Sequence, residues 1–426
     1  MKPSVLIPRF AISLALVLSA ANLLRAQQEK SERQKEDEVR GAPAEPDDAV
    51  EVRAQIAAVE KLLPTYVDRG AALYFLSAAK MHLGETREAM ELLKQCMALD
   101  EGFDPSGGSE FAGLRAEHAF TEMTDRAKTR FAAVAHARKA LVTEDKDLIP
   151  EGLAWDAKRE VFYLSSLHRR KIVQIDPESH ASDFLRPQDG PFLPVLGIRS
   201  DPLDGTVWAN TWEEKPGASR SQLLHIGADG KVIDRFAPAD SAQHGFNDLV
   251  LRKAGDIFVT DSLANQVLRL DPAAKAFSPL PLHRQLYYPN GIALADDDRT
   301  LFIADALGVL KYDIRTSTSL DVAQGPHNTL AGIDGLYWYR GSLIAIQNGI
   351  GTPRVAAHKL TADGTRVVKL LILEYRTKLS VLPTTGAIRS SDFYFIANSQ
   401  LDNLNGDKVL DVTRLEPVRI AVVHLP

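Results

Sequence analysis

The chain has 426 residues, 45% of them apolar and 25% charged, with a formal charge of −6. That length allows two or three domains, and the composition is ordinary for a soluble globular protein. The acidic balance and the lack of a basic arm argue against a nucleic-acid partner. The single cysteine, Cys96, excludes an intramolecular disulfide, a Cys-rich zinc site and CxxC redox chemistry.

Lys2 and Arg9 lead into an apolar run, FAISLALVLSAANLL from Phe10 to Leu24, which Arg25 ends. The run is short for a bilayer span and no stop-transfer pattern follows. Residues 1–26 therefore read as a signal peptide, cleaved after Ala26 or Ala20. The mature protein is expected to be periplasmic or secreted, with no membrane span. Residues 27–49 carry almost no large apolar side chain and read as a flexible linker.

Residues 50–133 turn helical, rich in Ala, Leu, Glu and Lys. Apolar periodicity predicts one helix near Ala71–Leu83 and another near Thr86–Leu99, broken at Gly84. The pair resembles one tetratricopeptide repeat, with Gly84 at the turn and small Ala89 where the helices approach. A lone repeat cannot bury its own face, so flanking helices around Ile56–Tyr66 and Phe111–Phe131 are expected to complete a small bundle. Cys96 reads as a core filler, and the bundle as a candidate site for a protein partner.

From 138 to 426 the period changes to two, punctuated by Gly, Pro and Asp. Six units recur: EGLAWDAKREVFYLSS, LGIRSDPLDGTVWANT, NDLVLRKAGDIFVTDS, NGIALADDDRTLFIADA, DGLYWYRGSLIAIQNG and TGAIRSSDFYFIANS. They start at Glu151, Leu196, Asn247, Asn290, Asp334 and Thr385, at intervals of 43 to 51 residues. Short strands repeating at that period predict propeller blades. The fold expected is mainly β, a six-bladed β-propeller preceded by a small α-helical, tetratricopeptide-like domain. The last unit is one strand short, and KALVTE, Lys139 to Glu144, is placed to supply it and close the ring.

The innermost strand of each blade lines the central channel, so the six starting residues should form one ring. Any one Asn-Gly or Asp-Gly pair alone is a turn signal. Six aligned units instead put two carboxylates and two carboxamides around a narrow space. Facing carboxylates repel unless they share a proton or a cation. Oxygen donors suit one divalent ion, Ca²⁺ first, with Mg²⁺, Zn²⁺ or Mn²⁺ as alternatives. His244 is the one histidine with a position beside the channel, and is a candidate substrate contact.

Four motifs in order, PEGLAWD, FNDLVLRKAGDIFVTD, YPNGIALADDDRTLFIAD and IDGLYW, resemble the regucalcin/gluconolactonase family over about Leu148 to Pro426. The resemblance implies a six-bladed propeller with one divalent metal in its channel, and hydrolysis of a lactone or related ester. Matched residue by residue, it implies Glu151, Asn290 and Asp334 as metal ligands, Asp334 also as the proton-transfer residue, and Asn247 as a contact to substrate or metal-bound water. Two positions depart. Gly245 stands where many members carry a substrate-holding arginine, and Leu153 where proline is common. Two functions are thus expected, a metal-dependent hydrolase or a non-catalytic, metal-containing propeller that binds a ligand or protein.

Overall fold

The computed structural model describes residues 49–215 and 218–426. The expected signal peptide and all but the last residue of the expected linker lie outside the described residues. Ala49, at that linker's end, already begins a helix.

Four α-helices come first: α1 Ala49–Leu62, α2 Arg69–His82, α3 Thr86–Ala98 and α4 His118–Arg130. Asp68 caps α2 by accepting the Ala71 N–H at 2.8 Å. The α2–α3 turn closes as a Schellman motif: Glu85 N bonds to Lys80 O, Gly84 N to Met81 O, and Gly84 takes a φ of 75°. Ten consecutive residues of α2, Gly70 to Ala79, are buried. A helix that is apolar on every side must be covered on every side. One side of α2 meets Val52, Ile56 and Val59 of α1, and another meets Leu93 and Cys96 of α3. The rest faces the propeller. Cys96 is fully buried among apolar side chains, as a core filler should be.

Six antiparallel blade sheets follow, one per predicted unit, five of four strands and one of five. Their innermost strands are Leu153–Asp156, Val195–Ser200, Phe246–Leu251, Ile292–Leu294, Ile333–Tyr339 and Gly386–Arg389. Each contacts the next and the sixth contacts the first, which closes the circle. The closing blade takes its outer strand from Arg138–Thr143, paired antiparallel with the chain-terminal strand Val418–His424. KALVTE thus has the role expected of it. Val134–Ala135 adds a fifth strand to blade 5, so the connection from α4 is woven into two blades.

The core lies between blades. Successive strand residues point to opposite faces, so each blade serves two neighbours. In Ile257–Asp261 of blade 3, Ile257 and Val259 pack with Trp208 and Leu223 of blade 2, while Phe258 packs with Leu301 and Ile303 of blade 4. Six such inter-blade clusters run around the molecule. Among the described residues no helix is long and apolar enough to cross a membrane.

Candidate functional site

Glycines set how closely the innermost strands approach. A Cβ on Gly152 would lie 2.2 Å from Leu196 O, and one on Gly197 would lie 2.4 Å from Asn247 O. The same holds for Gly291 against Asp334 O at 2.7 Å, and for Gly335 against Thr384 O at 2.8 Å. At these positions only glycine lets one blade's backbone sit on the next. Thr385 Oγ1 donates to the carbonyl of Glu151 and joins blade 6 to blade 1. Ser262 Oγ, which receives Asn247 Nδ2 at 3.1 Å, donates to Pro289 O at 2.6 Å and joins blade 3 to blade 4. The six unit starts therefore follow one another around a single circle.

Glu151, Leu196, Asn247, Asn290 and Asp334 line one cavity of about 710 Å³. Thr385, the sixth member, is spent on the Glu151 backbone. Asp334 is the centre of the polar floor. Its Oδ1 accepts Asn290 Nδ2 at 2.9 Å, and its Oδ2 accepts Asn348 Nδ2, which also donates to Pro383 O. Burial pushes the Asp334 carboxyl up to about 7 and the Asp248 carboxylate adds to the rise, against the pull of the two carboxamides. Asp248 is held by Arg199 at 2.8 Å, and the Arg199 guanidinium lies over the Tyr337 ring.

Two residues before each of Glu151, Asn290 and Asp334 the backbone is left-handed, at Ile149 (φ 46°), Tyr288 (φ 51°) and Gly332 (φ 61°). A β-branched residue is strained in that conformation and keeps it only where its surroundings enforce it. The other three blades have Pro194, Gly245 and Pro383 there. The shared bend groups the three residues with the oxygen donors.

The donor set fits a hard cation. Asn290 Oδ1 is buried with no hydrogen-bond partner, an acceptor left over once Nδ2 is used on Asp334. Asn247 likewise uses its Nδ2 on Ser262. With Glu151 and Asp334 the floor offers oxygen from two carboxylates and two carboxamides. Among the described residues no group of three or more His, Cys, Asp or Glu side chains is placed to hold a metal.

His244 lies elsewhere. Its Nδ1 meets Asp261 Oδ2 and its Nε2 meets Asp240 Oδ1 at 2.9 Å, and it does not line the cavity. Burial works against its charge, but the two carboxylates outweigh burial and raise its pKa. The structure brings the other four predicted residues together and leaves His244 as a buried ion-pair group. Gly245 is explained by packing: a Cβ there would lie 2.9 Å from Leu263 Cβ and from Trp212 Cε2 and Cζ2. The Trp212 indole, a cavity wall, occupies the space a side chain at 245 would need.

Asn348 escaped the sequence reading. It ends a second strand, not a first, and its QNG context reads as a turn. The helices are the other omission. Ala71, Tyr74, Phe75 and Ala78 of α2 line the same cavity as Asp334, and so does Glu110 from the segment between α3 and α4. Tyr74 donates its hydroxyl to Glu110 at 2.7 Å.

No protein-family profile matches the sequence, and no curated protein matches it. Solved structures are similar at low identity. A gluconolactonase from Xanthomonas campestris is 17% identical over 69% of this chain and 92% of its own, with a TM-score of 0.47. Virginiamycin B lyase from Staphylococcus aureus is 16% identical over 61% of this chain and 80% of its own, at 0.44. A protein from Thermus thermophilus described as a putative oxidoreductase (glucose dehydrogenase) is 14% identical over 68% and 99%, at 0.47.

Proposed function

We propose that this chain is an exported, metal-dependent hydrolase of lactones or related esters. The observation that carries the reading is the cavity floor, where a buried carboxyl held by two carboxamides sits beside Asn290 Oδ1, an acceptor with no partner. Glu151, Asn290 and Asp334 would hold one divalent cation through oxygen, with Ca²⁺ the first candidate. Such an ion, when bound, polarises an ester carbonyl and stabilises the oxyanion.

The chain's own residues supply the rest. Asp334 would accept a proton from the attacking water. Asn290 and Asn348 fix both of its oxygens, so the base is oriented before substrate enters. Asn247, anchored through Ser262, keeps its carbonyl oxygen for a substrate hydroxyl or a water. A protein partner for the tetratricopeptide-like pair would use the outer side of α3, since α2 is enclosed.

The test is metal analysis of purified protein, then an indicator assay over a lactone panel with and without chelator. Turnover lost with chelator and restored by Ca²⁺ is the expected result. A fully metallated protein that hydrolyses no lactone would leave a ligand-binding propeller in its place.

A further inference from the structure

Glu110 reaches the cavity from outside the propeller, in the segment between α3 and α4. That segment is pinned to blade 5. Asp104 N–H donates to Ile350 O at 3.1 Å, and Thr352 N–H donates to Asp104 O at 2.8 Å. A Cβ on Gly107 would lie 2.9 Å from Thr352 Cα, and one on Gly108 would lie 2.6 Å from Glu110 Oε1. The two glycines let the chain pass close to blade 5 and leave the space beside residue 108 to the Glu110 carboxylate. Tyr74, itself buried, holds that carboxylate through its hydroxyl at 2.7 Å. Glu110 is only partly buried and lines the cavity, so a ligand there can meet it.

We infer that Glu110 is a recognition residue of this cavity, and that it selects ligands carrying a protonated amine. The inference rests on the hydrolase reading only for the carbonyl group that would meet the floor. Three observations carry it. The Glu110 carboxylate has one neutral side-chain donor, the Tyr74 hydroxyl, and Arg115, the cation whose charge acts on it, donates instead to Gly108 O at 3.2 Å. Desolvation raises its pKa against the pull of both, as expected of a charge short of a partner. The two cations that line the cavity, Arg170 and Lys215, are both held by Glu213, at 3.2 and 3.1 Å. Asp407, from the segment between the second and last strands of blade 6, lines the cavity as well, so an anionic substituent would meet further negative charge. An ammonium group supplies the missing charge and donates to the carboxylate. A neutral hydroxyl in the same place donates but leaves the charge uncompensated.

The experiment uses full-length protein at one fixed Ca²⁺ concentration and three γ-lactams, whose ring nitrogen carries an aminoethyl, hydroxyethyl or carboxyethyl group, titrated by calorimetry near neutral pH. A lactam has a lactone's ring and carbonyl but no ester bond, so binding is read whether or not the protein hydrolyses anything. The quantity compared is the aminoethyl-to-hydroxyethyl affinity ratio within one preparation, which does not depend on the fraction of folded protein. For the unaltered chain the ratio should be at least about tenfold, with the carboxyethyl lactam the weakest of the three. Glu110→Gln keeps an acceptor for Tyr74 and removes the charge, and should bring the ratio toward one with hydroxyethyl binding little changed. Glu110→Ala reads the same ratio should Glu110→Gln fail to fold. A purely structural Glu110 would weaken all three lactams together and leave the ratio where it was. A preference for the amine that is lost with the Glu110 charge supports the inference even if no lactone is hydrolysed. A ratio near one for the unaltered chain, a ratio that neither variant moves, or no measurable binding of the aminoethyl lactam overturns it even if lactones are hydrolysed.

Discussion

Asn290 of blade 4 donates its carboxamide N–H to Asp334 Oδ1 of blade 5 at 2.9 Å, and its own oxygen is left buried without a partner. The two residues join neighbouring blades at the axis and leave one acceptor in excess. That asymmetry makes a prediction about fold as well as chemistry. In Asp334→Asn the new amide can place its NH₂ toward position 290, and Asn290 can turn its spare oxygen to receive it. The fold should therefore survive, with a Tm within a few degrees of the parent. Metal affinity should fall because a negative charge leaves the floor, and turnover should drop about 10²-fold or more with the loss of a general base. Calorimetry, metal analysis and the lactone assay on one preparation check all three.

Gly245 yields a prediction about packing alone. Gly245→Ala puts a Cβ about where Leu263 and the Trp212 indole already are, with 2.9 Å contacts. Overpacking of this kind costs about 1–3 kcal/mol. In the double variant Gly245→Ala, Trp212→Phe the smaller ring gives the methyl room, so the two costs should sum to more than the measured double effect. Denaturant melts of the two single variants and the double variant measure the coupling. Strict additivity would mean that the indole and Gly245 do not compete for the same space.

The propeller was legible because its signal is repeated. Six units, five of them opening on a polar residue and all with a small residue and an apolar run, left little else for residues 138–426 to be, and the missing sixth-blade strand pointed back to KALVTE. Glu151, Asn247, Asn290 and Asp334 were legible for the same reason, since aligned positions on innermost strands must meet at the axis. Asn348 was not, because second strands end in polar residues in the other units too, such as Ser166, Thr211, Ser262 and Ser399, so nothing set it apart, and Asn-Gly reads as a turn. The bend at Ile149 and Tyr288 was hidden too, as neither side chain favours left-handed backbone. The wall made by α2 was illegible in principle. An all-round apolar helix says that every side is covered, but not that one side is covered by a cavity. His244 lies off the cavity because nearness in sequence to Asn247 does not fix which way a side chain turns, and two carboxylates hold it.

Asp68 should make stability depend on pH. Burial, and then the Glu101 carboxylate, raise its carboxyl from 3.8 to about 7, against the hydrogen bonds of Ala71, Thr329 and Leu330. Between about pH 4 and pH 7 the folded chain keeps a proton there that the unfolded chain has released. Stability from this group therefore falls as pH rises through that window and levels off above it. Asp68→Asn keeps a cap acceptor for Ala71 and removes the titration. Thermal melts from pH 4.5 to 7.5 should show a shallower decline for the variant than for the parent. Parallel curves would assign the slope to other groups.

The helices should not be removable. Without residues 49–131, Tyr287 and Leu307 of blade 4 and Ala331 and Ile350 of blade 5 lose the side chains that cover them. Tyr375 and Arg376 lose Asp104, and Arg284 loses the Tyr66 hydroxyl at 3.2 Å. The exposed surface is contiguous and apolar, which in a truncated domain leads to aggregation. The truncated chain should be insoluble, or bind a hydrophobic dye and melt well below the full chain. Asp104→Asn provides a gentler measure of the same joint. It keeps the shape but removes the charge that Arg376 and Tyr375 address, and should cost about 1–3 kcal/mol. A truncated propeller that is soluble, dye-silent and as stable as the full chain would show that the helices form a detachable module.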